Sequence, residues 1–178
     1  MATKEDLEKF ETQVARPADF EEFWQDVLAQ VAKIPLEPKI SPDSFRSNED
    51  ALVSLATFQS LDGLEVATWY CVPAKGEGPF PAIIHLPGYK GEPSIRRDWG
   101  AKGVVHLMVS VRGKLRSNSQ FNPGYPGLLT HGIESRDTYG YRGVIADCVR
   151  GVDFLLSRPE VDSQRIYACG SSQGGGLT

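Results

Sequence analysis

No stretch of this 178-residue chain approaches the ~18 consecutive apolar residues of a membrane span. Its longest such run, Val104-Val105-His106-Leu107-Met108-Val109, is the size of a strand. The first residues alternate in charge (Lys4, Glu5, Asp6, Glu8, Lys9, Glu11) and lack the apolar core of a signal peptide. Cysteine is scarce: Cys71, Cys148 and Cys169 are odd in number and far apart, with no Cys-x-x-Cys pair. A disulfide framework and a cysteine-rich zinc site are thereby disfavoured, and buried free thiols in a reducing cytoplasm are expected. Basic residues form no stripe. With 19 Lys+Arg against 23 Asp+Glu the net charge is −4, which argues against displacing counterions from nucleic acid. The small clusters Arg96-Arg97 and Lys114/Arg116 read as solvated surface.

What is present is an ordinary globular balance, 40% apolar and 24% charged, so general disorder is excluded. The length suits one domain over residues 1–178. The 18 Gly and 12 Pro make up about 17% of the chain, above an average near 12%, so many turns or long loops are expected.

Residues 17–34 predict a helix, because Phe20, Phe23, Trp24, Val27, Leu28 and Val31 fall on one face. Pro17 opens it and Pro35 and Pro38 stop it, while Asp19, Glu21 and Glu22 suit the positive end of its dipole. The core begins at about residue 51. Ala51–Gln59 and Leu64–Val72 are strand-like runs joined by Leu61-Asp62-Gly63, a hairpin signal. Residues 82–86 and 104–111 read as strands covered on both faces. From Ser110 to Thr138 no period holds, and a stretch that long is more often functional than idle. Val144, Ile145, Cys148, Val149, Val152, Leu155 and Leu156 then repeat at helical spacing before Pro159, and 165–169 reads as a buried strand. Strand, crossover, strand, long loop, helix, strand is the order of an α/β fold with a mostly parallel sheet.

That last strand runs into Gly170-Ser171-Ser172-Gln173-Gly174-Gly175-Gly176, a Gly-x-Ser-x-Gly pattern centred on Ser172. In a nucleophile elbow the serine sits on a strained strand-to-helix turn, and small residues two before and two after it let backbones approach. A mere tight turn would need none of this context. A Walker phosphate loop fails because Gly175 is followed by Gly176 and Leu177 rather than Lys-Ser/Thr. A dinucleotide fingerprint would belong to the first strand–turn–helix unit, with an acidic residue about twenty positions on.

Several segments together resemble the acetyl xylan esterase / cephalosporin C deacetylase family of α/β-hydrolases. They are 16–24 (Arg-Pro-Ala-Asp-Phe-Glu-Glu-Phe-Trp), 85–89 (His-Leu-Pro-Gly-Tyr), 111–113 (Val-Arg-Gly), 137–139 with 141–144, 158–162 (Arg-Pro-Glu-Val-Asp) and the elbow. The resemblance implies the N-terminal part of an α/β-hydrolase fold: a mostly parallel sheet with an antiparallel N-terminal hairpin and flanking helices. It implies Ser172 as nucleophile and the backbone N–H groups of Tyr89 and Gln173 as the oxyanion hole. Arg112, Gly113, Gly170 and Gly174 would support the site, and neither metal nor organic cofactor is implied. Where the family has Arg-Gly-Gln, Lys114 stands in the third place. The expected reaction is removal of acetyl groups from O-acetylated carbohydrates or similar small acetyl esters.

In α/β-hydrolases the acid and the histidine follow the serine along the chain. Here only six residues follow Ser172, none acidic or histidine, and His85, His106 and His131 all precede it. His85 and His106 read as structural, and His131, in the long loop, is the best-placed stand-in. The chain is therefore expected to be an incomplete domain, partnered by a complementing C-terminal portion or a homo-oligomer. Two other readings stay open: a non-catalytic assembly or binding module, and another hydrolase chemistry such as a peptidase or longer-chain esterase.

Overall fold

The computed structural model describes residues 3–11, 13–89, 91, 94–114, 117, 119–125 and 127–178. After a short helix α1 (Lys4–Glu8), α2 spans Phe20–Ala32. It is shorter than the 17–34 its apolar stripe suggests. A turn closed by Phe20 N–H on the Pro17 carbonyl precedes it, and Lys33 caps its end. Val27 and Val31 are buried with Leu61 and Ala146, whereas Phe20 and Leu28 are exposed. Only part of the aromatic stripe is therefore core.

Among the described residues six strands follow in one sheet: β1 (Lys39–Pro42), β2 (Ala51–Gln59), β3 (Glu65–Pro73), β4 (Phe80–Leu86), β5 (Val105–Ser110) and β6 (Val161–Gly170). Helices α3 (Arg97–Gly100), α4 (Gly140–Leu156) and α5 (Gln173–Leu177) lie between β4 and β5, between β5 and β6, and after β6. The spatial order is β1-β2-β3-β5-β4-β6. The β1–β2, β2–β3 and β3–β5 pairs are antiparallel, and β5–β4 and β4–β6 are parallel. Four strands (β2, β4, β5, β6) thus share a direction, and the sheet is mixed with a parallel block at its core.

The β2–β3 hairpin reverses where Asp62 and Gly63 take φ of 65° and 71°, a region costly for most side chains. Register pairs Ala51 with Pro73 and Gln59 with Glu65. β1 was not foreseen, because all four of its residues are exposed and carry no alternation. β5 is buried along its whole length. Helix α4 packs Phe154 and Leu155 on the face that carries Ile84, Leu107 and Val109, and this is the main core. On the opposite face Val53, Trp69, Cys71 and Met108 form a smaller cluster beside Ile95.

The expectation of a buried strand at 165–169 is corrected. β6 is the last strand in the sheet order, and Tyr167 is 59% exposed. The thiols follow the same division, with Cys71 and Cys148 buried and Cys169 half-buried. Burial pushes the Cys71 thiol up to about 11.

Candidate active site

The chain leaves β6 at Gly170 and enters α5 at Gln173, so Ser171 and Ser172 make the whole turn. Ser172 takes φ 55° and ψ −127°, a conformation that costs an L-residue about 1–3 kcal/mol and persists only where its surroundings enforce it. The surroundings are glycine. A Cβ on Gly174 would lie 2.1 Å from the Leu86 carbonyl oxygen, and one on Gly170 would lie 2.4 Å from that of Gly174. The end of β4, the end of β6 and the start of α5 therefore meet backbone to backbone, and this contact holds the serine in its strained turn.

Ser172 is exposed and lines a cleft of about 510 Å³. Gln173, Tyr89, Tyr141, Leu129 and Ile145 also line it. Tyr89 belongs to a turn after β4, closed by Gly91 N–H on the Gly88 carbonyl at 3.0 Å. Among the described residues, none accepts a hydrogen bond from the backbone N–H of Tyr89 or of Gln173. Two donors with no acceptor among the described residues, on residues that share a cleft with an exposed, strained hydroxyl, can receive a negative oxygen formed at a carbon attached to that hydroxyl.

The side chain of Gln173 is turned away from this role. Its Nε2 donates to the Tyr141 hydroxyl oxygen, and its Oε1 is buried without a partner among the described residues. Tyr141 stacks on Tyr139 at 5.5 Å between centroids, and burial holds its hydroxyl above the usual phenol range. Tyr141, Leu129 and Ile145 were not singled out individually from the sequence as cleft walls. Leu129 comes from the aperiodic 110–138 segment, whose position no pattern reveals.

Arg112 and Gly113 lie farther back. Arg112 is 3% exposed and Asp147 fully buried. Arg112 donates to Asp147 from its backbone N–H at 2.8 Å, from Nε at 3.0 Å and from Nη2 at 2.9 Å. It reaches Asp62 at 2.8 Å and the Leu61 carbonyl at 2.9 Å, and Ser60 Oγ completes Asp147 at 2.6 Å. The hairpin turn, the segment after β5 and α4 are thereby tied together. Asp147 was missed, although a carboxylate within the apolar stripe of α4 is a readable signal. Gly113 turns the chain at φ 76°.

Lys114, read above as solvated surface, is 7% exposed and donates from Nζ to the Gly88 carbonyl oxygen. Arg116, its expected companion, lies outside the described residues.

No histidine reaches Ser172. His106 is buried, with neither ring nitrogen hydrogen-bonded among the described residues, and burial pushes it down to about 4. His85 packs edge-on to it at 5.7 Å. His131 stands against Phe121 at 5.0 Å and lines a separate cleft with Tyr139 and Arg142. Among the described residues no carboxylate or histidine lines the Ser172 cleft, and no group of three or more His, Cys, Asp or Glu could hold a metal ion. No helix among them is long and apolar enough to cross a membrane.

A family model described as acetyl xylan esterase matches residues 2–178. A curated relative, the acetyl esterase Axe7A of Xylanibacter ruminicola, is 26% identical over 183 aligned positions covering 91% of this chain. The solved acetyl xylan esterase of Paenibacillus sp. R4 is 30% identical with a TM-score of 0.86 over 99% of the chain. Acetyl xylan esterase 1 of Thermoanaerobacterium sp. JW/SL YS485 is 25% identical with a TM-score of 0.89 over the same share. The chain spans 39% of the curated relative and 58% and 57% of the two solved chains.

Proposed function

This chain belongs to the acetyl xylan esterase family, and from that premise we propose that Ser172 is the acyl-accepting serine of a carboxylic ester hydrolase. The substrates are O-acetylated carbohydrates or similar small acetyl esters, as in acetyl xylan esterases and cephalosporin C deacetylases. The observation that carries the reading is the conformation of Ser172, strained and exposed at a strand-to-helix turn, in a cleft shared with Tyr89 and Gln173, whose backbone N–H groups have no acceptor among the described residues.

The Ser172 hydroxyl oxygen forms a bond to the ester carbonyl carbon and gives its proton to a base, while the carbonyl electron pair moves onto oxygen. The Tyr89 and Gln173 N–H groups hold that oxyanion, each donor being worth on the order of 3 kcal/mol in the transition state. Collapse breaks the bond to the alcohol, which takes up a proton and leaves an acetyl-serine. Water then attacks the same carbon, and acetate and the serine hydroxyl are released. None of the three histidines stands at the cleft, so in this proposal the base and its acid come from groups beyond those described there. A complementing portion or a second copy of the chain would supply them. Three free thiols support a reducing, cytoplasmic setting.

The test is hydrolysis of p-nitrophenyl acetate beside Ser172→Ala, with butyryl and peptide substrates in parallel. Acetyl hydrolysis that is lost with the hydroxyl supports the proposal. Equal rates in the two proteins overturn it. A preference for peptide or butyryl substrates replaces the acetylesterase reading with another hydrolase chemistry. That no carboxylate or histidine among the described residues lines the Ser172 cleft favours a second reading, a non-catalytic module, which predicts no Ser172-dependent rate on any of the three.

A further inference from the structure

Two donors converge on the carbonyl oxygen of Gly88: the Gly91 N–H across its turn, at 3.0 Å, and the ammonium of Lys114. That carbonyl and the Tyr89 N–H are the two ends of a single peptide unit. Because the unit is planar and trans, fixing the direction of its oxygen fixes the direction of its N–H. Resonance links the ends electronically as well. A positive donor at the oxygen draws electron density from nitrogen and makes the N–H a stronger donor, in the way that hydrogen bonds in series reinforce one another. The peptide also lies at the elbow, since a Cβ on Gly88 would stand 3.8 Å from the Ser171 carbonyl oxygen.

We propose that Lys114 is a positioning residue that orients and polarises the Gly88–Tyr89 peptide, so that the Tyr89 N–H meets the developing oxyanion as a strengthened donor. The inference rests on the reading of Tyr89 as an oxyanion donor. Burying an ammonium is costly in itself, and at this position an apolar side chain of similar length would avoid the cost. The charge stands one peptide away from the oxygen that becomes negative in the reaction. A glutamine at position 114 would keep a hydrogen bond to the carbonyl and remove the charge, so the two contributions separate.

The experiment uses the full chain as wild type, Lys114→Gln, Lys114→Met and Ser172→Ala. With label in glycine carbonyl carbon and tyrosine nitrogen, only the three Gly–Tyr peptides (88–89, 124–125 and 140–141) give a carbonyl–nitrogen signal. Lys114→Met is expected to move the 88–89 signal and leave the other two in place, which also reports that the fold is intact. Lys114→Gln is expected to move it less. On p-nitrophenyl acetate, Lys114→Met is expected to lower kcat about tenfold with KM little changed, a fraction of what removing an oxyanion donor costs. An 88–89 signal that stays in place in Lys114→Met overturns the inference, and so does a moved signal with an unchanged kcat. If instead Ser172→Ala hydrolyses as fast as wild type, the reading of the site fails, while the carbonyl signal still decides whether Lys114 governs that peptide.

Discussion

The elbow at Ser172 and the ion pair of Arg112 with Asp147 are built on opposite physical terms. Ser172 is exposed and strained, held by glycines against its preferred backbone geometry, and shares its cleft with two residues whose N–H groups have no acceptor among the described residues. Arg112 and Asp147 are buried, and each hydrogen-bonding group of the pair is matched. The first region stores strain and open valence where a substrate can use them. The second spends a large desolvation cost on tying three segments together. Their difference separates residues that would act from residues that hold, even though both regions carry the family resemblance.

Removing one partner of the ion pair is the strongest way to break this contrast. Asp147→Ala leaves the buried Arg112 guanidinium with only the exposed Asp62 carboxylate opposite it, and a loss of about 3–5 kcal/mol is expected, read from the urea midpoint. A loss below about 1 kcal/mol would mean that the pair holds little.

His106 sharpens the contrast from the buried side, because its imidazole has no hydrogen-bond partner among the described residues. It stays neutral in the fold with its pKa pushed down to about 4, while the unfolded chain takes up the proton near 6.5. The unfolded state therefore binds more protons below that value. Stability falls as pH drops from about 6.5 towards 4, by up to about 3 kcal/mol. Unfolding measured across that window should show the slope in wild type and a flatter one in His106→Leu.

The smallest effect concerns the strain itself. Ser172→Gly removes the conformational penalty, and a gain of about 1–3 kcal/mol is expected, whereas Ser172→Ala keeps the penalty and gains little. Equal stabilities for the two variants would mean that the turn is not strained.

The same division governs what could be read from the sequence. The β2–β3 hairpin, α4 and the elbow were legible because each rests on local chemistry: an Asp-Gly reversal, a helical apolar period and a glycine-spaced serine. β1 was not, since its four exposed residues pair through backbone groups that carry no side-chain signature. The exposure of β6 depends on its place in the sheet order, which its apolar run does not encode. Of the candidate site, Ser172, Gln173 and Tyr89 were placed in advance and do share one cleft. The wall from Leu129 and the grip of Lys114 on Gly88 were invisible, because both arise from chain segments that meet only in three dimensions. Lys114 in particular looked like surface charge and proved to be buried.

Ser172 as the acyl-accepting group is the claim on which the functional account turns, and one measurement reaches it directly. The protein is mixed with p-nitrophenyl acetate, quenched in acid at early times, and digested for peptide mass spectrometry with fragmentation. The account predicts one acetyl group on Ser172 in the peptide that begins at Ile166, absent from Ser172→Ala. Acetyl found only on lysines or on Ser171, at equal levels in both proteins, would contradict it.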